Sequence, residues 1–274
     1  MAFSDTRVGF ARPHIRYARI LFLALASLLV LFLTLPLVAL VVRALPLGLD
    51  AWLNETTLAA LQLSLTTATL SALIAFGVGT PVAYLLAREN FRGKAVVDTL
   101  IDLPMVLPPA VAGIALLMAF GRRGLLGATF SAFGIELPFT TAAVVIAETF
   151  VAAPFYVRSA KAGFGAVDRR LEQMSALLGV SDWKTFWRVT LPLAAPSVVS
   201  GLLMTWARAL GEFGATIMFA GNFPGRTQTM PLAIYSGLEA NLDSALALSL
   251  ILVIVSFGVL LAIRQVSPKG LTLG

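Results

Sequence analysis

The sequence predicts an all-α membrane protein of six transmembrane helices, with one long structured loop between the fourth and the fifth. Three observations carry that prediction. With 58% apolar and only 12% charged residues, and a mean hydropathy of +0.90, the chain has more apolar surface than a soluble globule covers. The apolar residues gather into runs long enough for a hydrocarbon core about 30 Å thick. The one long exception is Glu172–Pro192, EQMSALLGVSDWKTFWRVTLP, a polar and aromatic insertion. The 274 residues make one membrane domain with no polar block large enough for a separate nucleotide-binding or catalytic domain.

Residues 1–19 form a polar segment carrying Arg7, Arg12, Arg16 and Arg19, and Ile20–Val42 then runs without a charge for longer than a signal-peptide core, so it reads as a retained first span. Leu58–Ala87 is the second span, with Gln62, Ser64 and Thr66 early, so it does not face lipid all round. Gly77, Gly79 and Pro81 permit close packing or a bend near its end. Leu100–Phe120 is the third, interrupted by Pro104, Pro108, Pro109 and Gly113, where the proline pair predicts a kink. Pro138–Val157 is the fourth and holds Glu148. Leu193–Ala220 is the fifth and holds Arg208 and Glu212, and Asp243–Ile263 is the sixth, followed by a tail, 264–274.

Basic residues orient these spans. Arg88, Arg92, Lys94, Arg158, Lys161, Arg169, Arg170, Lys184, Arg188, Arg264 and Lys269 fall on the same side as the N-terminal arginines, while only Arg43, Arg122, Arg123 and Arg226 fall opposite. Both termini and the 159–192 loop are therefore expected in the cytoplasm, with Tyr17, Tyr84 and Tyr156 in the inner aromatic belt. The same pattern reads the formal charge of +6 as topology, not as a nucleic-acid surface. Without cysteine, and with His14 as the only histidine, thiolate chemistry, histidine triads and multi-histidine metal sites are excluded. An intramembrane enzyme would have only lone serines and carboxylates to use. No catalytic residue, metal ligand or bound cofactor is expected in this chain.

The loop reads as two short helices broken at Gly179. Asp168 caps the first, Gly179 supplies a left-handed turn, Ser181 and Asp182 cap the second, and Leu191-Pro192 ends it. Leu171, Met174 and Leu178 share one face of the first helix; Trp183, Phe186 and Trp187 share one face of the second. From periodicity alone, the aromatic face serves equally as a protein interface or as a membrane-surface anchor.

From Gly179 the chain continues with nine residues, Val189, one residue and Leu191-Pro192. This resembles the EAA loop of ATP-binding-cassette importer permeases, although the acidic-alanine part falls on Gln173, Met174 and Ser175, with Glu172 one place early. DLPMVLPPAVAGIALL at Asp102–Leu117 and RALGEFGATIMFAGNFPGRTQTMPLAIY at Arg208–Tyr235 are similar to the molybdate, sulfate and tungstate permeases, most of all the molybdate group. The resemblance implies a type I importer permease fold at 20–263 and a homodimer in a prokaryotic inner membrane. It implies two cytoplasmic ATPase subunits, which hold the ATP and Mg, and an extracytoplasmic oxyanion-binding protein. It assigns ATPase coupling to Glu172, Gln173, Gly179, Trp183, Phe186, Trp187, Leu191 and Pro192.

Intramembrane charges need partners. Arg208 and Glu212 lie four apart and Glu148 sits at about the depth of Arg208, so a Glu148–Arg208 pairing is expected, favoured over direct contact with substrate. Pore lining by spans three and five, taken from the resemblance, makes Pro108, Pro109, Arg208, Glu212 and Thr216 candidates for the translocation path or gate. Asn222–Met230 is an external segment that faces the binding protein or guides an anion, or is an ordinary solvated loop. The short stretch Arg88–Asp98, carrying RENFRGK, gives a minor second ATPase contact or anchors lipid headgroups. The competing class is an ATP-independent secondary transporter or channel.

Overall fold

The computed structural model describes residues 13–48, 51–52 and 54–266. Arg7 and Arg12, the tail with Lys269, and the side chains of Arg16 and Tyr17 lie outside what is described. The chain divides into two units, Met1–Pro46 and Leu47–Gly274. The first holds α1, Pro13–Ala44. Its Arg19–Ala44 stretch has a mean hydropathy of 2.8, enough for one bilayer crossing.

The second unit is helical throughout its described regular structure. Its elements are α2 (Glu55–Arg88), α3 (Lys94–Val106), α4 (Pro109–Phe120), α5 (Gly127–Ala132), α6 (Thr141–Ala166), α7 (Arg169–Leu177), α8 (Asp182–Thr185), a π-helical turn (Phe186–Thr190), α9 (Leu191–Leu210), α10 (Gly214–Ala220), α11 (Met230–Ala240) and α12 (Leu242–Val266). With α1, five helical stretches among the described residues are long and apolar enough to cross a membrane, and α3 with α4 makes a sixth when taken as one broken span. The six-span expectation holds in that form.

Helices α2, α6 and α9 form the centre. Ala75, Ala83, Leu86, Tyr156, Ala160, Phe164, Ala194 and Val198 make one cluster near the ends of α2 and α6. Ala112, Leu116, Ala147, Val151, Ala215 and Phe219 make another among α4, α6 and α10. Alanines dominate because helices in lipid gain by close backbone approach, not by hiding apolar surface from water. The α6–α9 crossing shows this: a side chain at Gly163 would meet Ser197, one at Gly201 would meet Ser159, and Ser159 Oγ donates to the Ser197 carbonyl at 2.7 Å.

Two expected spans are corrected. The third is no kinked rod: α3 and α4 meet at 117°. Leu107, held before a proline, is extended with ψ 136°. Pro108 is extended too, and Pro109 then opens α4 where no donor is required. The fifth was expected as Leu193–Ala220, but one span runs Asp182–Leu210 and the chain breaks before α10. Leu191-Pro192 does not end the loop's second helix. The Leu191 N–H bonds the Phe186 carbonyl, and this wider π turn accommodates the proline that follows. After Leu210, the Glu212 side chain takes a backbone donor for itself, its Oε1 accepting from Ala215 N at 2.8 Å. Helices α5 and α11 were not foreseen. The fourth span begins at Thr141 rather than Pro138, capped by Thr140 Oγ1 on Ala143 N at 3.2 Å.

Candidate coupling and translocation sites

The first half of the loop after α6 is built as the sequence directs, whereas Ser181 precedes α8 without a side-chain capping bond. Asp168 Oδ1 accepts from Arg170 N at 2.9 Å to start α7. Gly179 takes φ +74°, with Gly179 N on Ala176 O at 2.9 Å and Val180 N on Ser175 O at 3.1 Å, the hydrogen bonding of a left-handed helix end. Ser175 and Thr185 share a hydroxyl–hydroxyl hydrogen bond of 2.7 Å that folds α7 onto α8.

The two faces separate in role. On α7 and the turn after it, Met174 is 60%, Leu177 87% and Leu178 80% exposed, and Gln173 stands exposed beside them. Phe186 instead turns inward, its ring 5.3 Å from Tyr84 and 5.9 Å from Phe164. Trp187 packs on Phe186 at 5.4 Å and on Trp183 at 5.5 Å. With Phe76, Gly77, Pro81 and Tyr84 of α2, these aromatics line an apolar cavity of about 470 Å³. The outward apolar surface is thus shared by α7 and its turn with Trp183, 69% exposed, and Trp187, 45% exposed, whereas Phe186 packs against Tyr84 of α2. Leu191 and Pro192 continue into α9.

Glu172 faces inward. Its Oε1 accepts from Arg88 Nη2 at 2.8 Å and from Thr190 Oγ1 at 2.7 Å. Sequence reasoning placed Arg88 at a surface, and the signal it had was the position at the C-terminal end of a long span, where an arginine can fold back onto carbonyls.

Deeper in the unit, Arg208 Nη2 meets Glu212 Oε2 at 2.7 Å, with the Arg208 side chain 31% and the Glu212 side chain 1% exposed. Glu148 is not Arg208's partner. Thr67 Oγ1 donates to its Oε1 at 2.9 Å and Ser71 Oγ to its Oε2 at 3.0 Å, so two hydroxyls on α2 replace the expected cation. The expected pairing failed because Glu212, four residues on from Arg208 and on the same face, already takes its guanidinium. The signal for the true partners was the stripe Ser64, Thr67 and Ser71 at helical spacing. Ser64 also accepts from Met230 N at 2.7 Å, fixing the start of α11.

Pro109 packs against Gly214, and Gly113 against Ala215 and Met218, so the two half-helices that follow the breaks, α4 and α10, lie in close contact. Thr216, in α10, is fully buried, and its hydroxyl has no protein partner. Pro108 is exposed at the break itself. Asn222 Nδ2 donates to Ser236 at 2.8 Å, so the Asn222–Met230 segment is ordered against α11. Among the described residues, no group of three His, Cys, Asp or Glu side chains is placed to hold a metal ion.

Six apolar crossings, one broken third span and a glycine-turned loop between spans four and five define a membrane permease of the ATP-binding-cassette importer type. The chain belongs to the family of binding-protein-dependent transport system inner membrane components, whose model matches residues 79–269. It is 44% identical over 242 residues to the molybdenum transport system permease protein ModB of Mycobacterium tuberculosis, covering 88% of this chain and 92% of that one. It is 42% identical over 249 residues to a probable molybdenum ABC transporter permease of Haloferax volcanii, covering 90% of each. In fold it matches a bacterial ABC transporter that imports the acidic polysaccharide alginate, with a TM-score of 0.73 at 18% identity, over 95% of this chain and 99% of that one.

Proposed function

We propose that this chain is the channel-forming half of a molybdate importer. Two copies would form the conduit, two cytoplasmic ATPase subunits carrying ATP and Mg would drive it, and an extracytoplasmic binding protein would deliver the oxyanion. Sulfate and tungstate are the next candidate cargoes. Molybdate is carried by the near full-length likeness to molybdenum permeases. ATPase docking is carried by one observation, the cluster Met174, Leu177 and Leu178 standing outward on α7 and its turn. Apolar side chains this exposed mark an interface.

In this reading the inner membrane holds both termini on the cytoplasmic side. Gln173 and the α7 face meet the ATPase, Gly179 sets the angle of α7, and Glu172 holds α7 from behind. Trp183, Phe186, Trp187, Leu191 and Pro192 transmit its movement into α9. Pro108, Pro109, Arg208, Glu212 and Thr216 stand at or beside the path. Arg208 leaves part of its guanidinium exposed while Glu212 stays buried behind it. A passing dianion meets a cation whose charge is already offset, which favours passage over retention.

The test is to express the chain with the ATPase subunit and the binding protein and reconstitute the complex in vesicles. ATP-dependent molybdate uptake, with ATPase copurifying and lost from a Leu177→Asp, Leu178→Asp variant, is expected. Uptake that persists without ATP would establish the secondary-transporter class instead, and ATP-driven uptake of sulfate but not molybdate would reassign the cargo.

A further inference from the structure

Arg88, the last residue of α2, is only 8% exposed, and burying a guanidinium is costly unless it is fully paired. Its Nη1 and Nη2 each donate to the Val167 carbonyl at 3.1 Å, at the end of α6. Nη2 also donates to Glu172 Oε1 at 2.8 Å, in α7. The Arg88 carbonyl accepts from Arg169 Nη2 at 2.7 Å, a second bond to α7. Glu172 Oε1 accepts in turn from Thr190 Oγ1 at 2.7 Å, where the π turn passes into α9, and Thr190 is fully buried. One guanidinium and one carboxylate thus join the ends of α2 and α6, the helix α7 and the beginning of α9.

Two further observations give this cluster its meaning. Of the nine residues of α7, only Ser175 is buried, so apolar packing does little to hold α7 to the rest of the unit. Its ties are these polar bonds and the Ser175–Thr185 contact. Moreover, the Arg88 Nε is buried without a partner. A buried ion pair with an orphaned donor is a poor way to gain stability, since well-packed apolar side chains do better. What it supplies is a directional, fixed connection between helices.

We infer that Arg88 and Glu172 form a clamp that transmits movement of α7 into α2 and α9, so that Arg88 is a positioning residue for coupling ATP hydrolysis to transport. This rests on α7 being the ATPase-docking helix. When α7 moves with the ATPase, Arg88 carries the displacement to the C-terminal end of α2, and Thr190 carries it to the start of the helix that holds Arg208. With the clamp broken, α7 stays docked by its outward face but moves without carrying the spans along.

The experiment uses the complete reconstituted complex with chain variants Arg88→Gln, Arg88→Lys and Thr190→Val. Three quantities are read: ATPase copurified per permease, ATP hydrolysed, and molybdate taken up. Arg88→Gln is expected to keep ATPase stoichiometry while uptake per ATP falls about tenfold. Arg88→Lys, which keeps charge but loses the two-armed guanidinium, is expected to fall nearly as far. Thr190→Val, which removes one bond at constant shape, is expected to lower the same ratio by a smaller factor. A wild-type uptake-to-ATP ratio in all three variants would overturn the clamp, including where Arg88→Gln merely lowers yield or thermal stability. Failure of the wild-type chain to bind the ATPase at all would instead overturn the docking reading on which the clamp rests.

Discussion

Single residues separate the parts of this protein that composition dictates from those that only geometry reveals. Gly179 belongs to the first kind. Its φ is +74° and a Cβ there would meet open space, so the demand for glycine is conformational and not steric. Gly179→Val should cost about 1–2 kcal/mol in the turn and reduce ATPase stimulation, whereas Gly179→Asn, which tolerates the left-handed region, should keep most of it. Equal loss in the two variants, measured as ATPase rate in the reconstituted complex, would contradict this. Glu148 belongs to the second kind. Its depth was legible but pointed to the wrong partner, Arg208, because the hydroxyls that bind it come from α2, far away in the chain. Glu148→Gln keeps the shape and an acceptor for Thr67, so thermal unfolding in detergent should show a loss of about 1 kcal/mol. Glu148→Ala should lose about 3 kcal/mol, with the bonds and the filled space both gone. A double-mutant cycle should find Arg208 coupled more strongly to Glu212, its contact at 2.7 Å, than to Glu148. The reverse order would restore the pairing that depth alone implied.

At the level of elements, hydrophobic runs gave the number of crossings, but runs carry no information on direction. Pro108 and Pro109 mark where a helix must stop, and the 117° between α3 and α4 depends on what α4 then packs against. That partner is α10, itself produced by the break at Glu212. Local rules also misled at Leu191-Pro192, where a helix continues through a π turn that periodicity does not register. The packing of α4 on α10 makes a sharp prediction. A Cβ at Gly113 would stand 2.9 Å from the Ala215 carbonyl oxygen, so Gly113→Ala must push two backbones apart and should cost about 1–3 kcal/mol. Gly77, within α2, has nothing within 4 Å of an added Cβ. Gly77→Ala should therefore stabilise, by about 0.5–1 kcal/mol, because it restricts the unfolded chain without crowding the folded helix. Thermal unfolding of the two variants side by side decides the matter, and a destabilising Gly77→Ala would mean that the α2 surface is more crowded in the working protein.

For the molecule as a whole, the strongest legible signal was the asymmetry of its basic residues, and the second unit gives that asymmetry a physical form. Arg88 and Arg169 meet at one end, where α2 finishes and α7 begins. At the other end, Thr141 Oγ1 at the start of α6 donates to the Arg226 carbonyl at 2.9 Å, which ties the Asn222–Met230 segment to the opposite side of the same helix. The 26 residues of α6 rise about 39 Å, enough to separate the two ends by a full hydrocarbon core. If the positive-inside reading is right, the α7 end is cytoplasmic and the Arg226 end is external. The chain contains no cysteine, so one introduced at a time reports cleanly. Gln173→Cys should react with a membrane-impermeant maleimide only in inside-out vesicles and be shielded when the ATPase subunit is bound. Arg226→Cys should react only in right-side-out vesicles. Labelling of both positions from one side would mean that α6 does not cross the bilayer. Exchange of the two sides would invert the topology and remove α7 from the compartment that holds ATP, so the orientation and the coupling role stand or fall on the same pair of reactions.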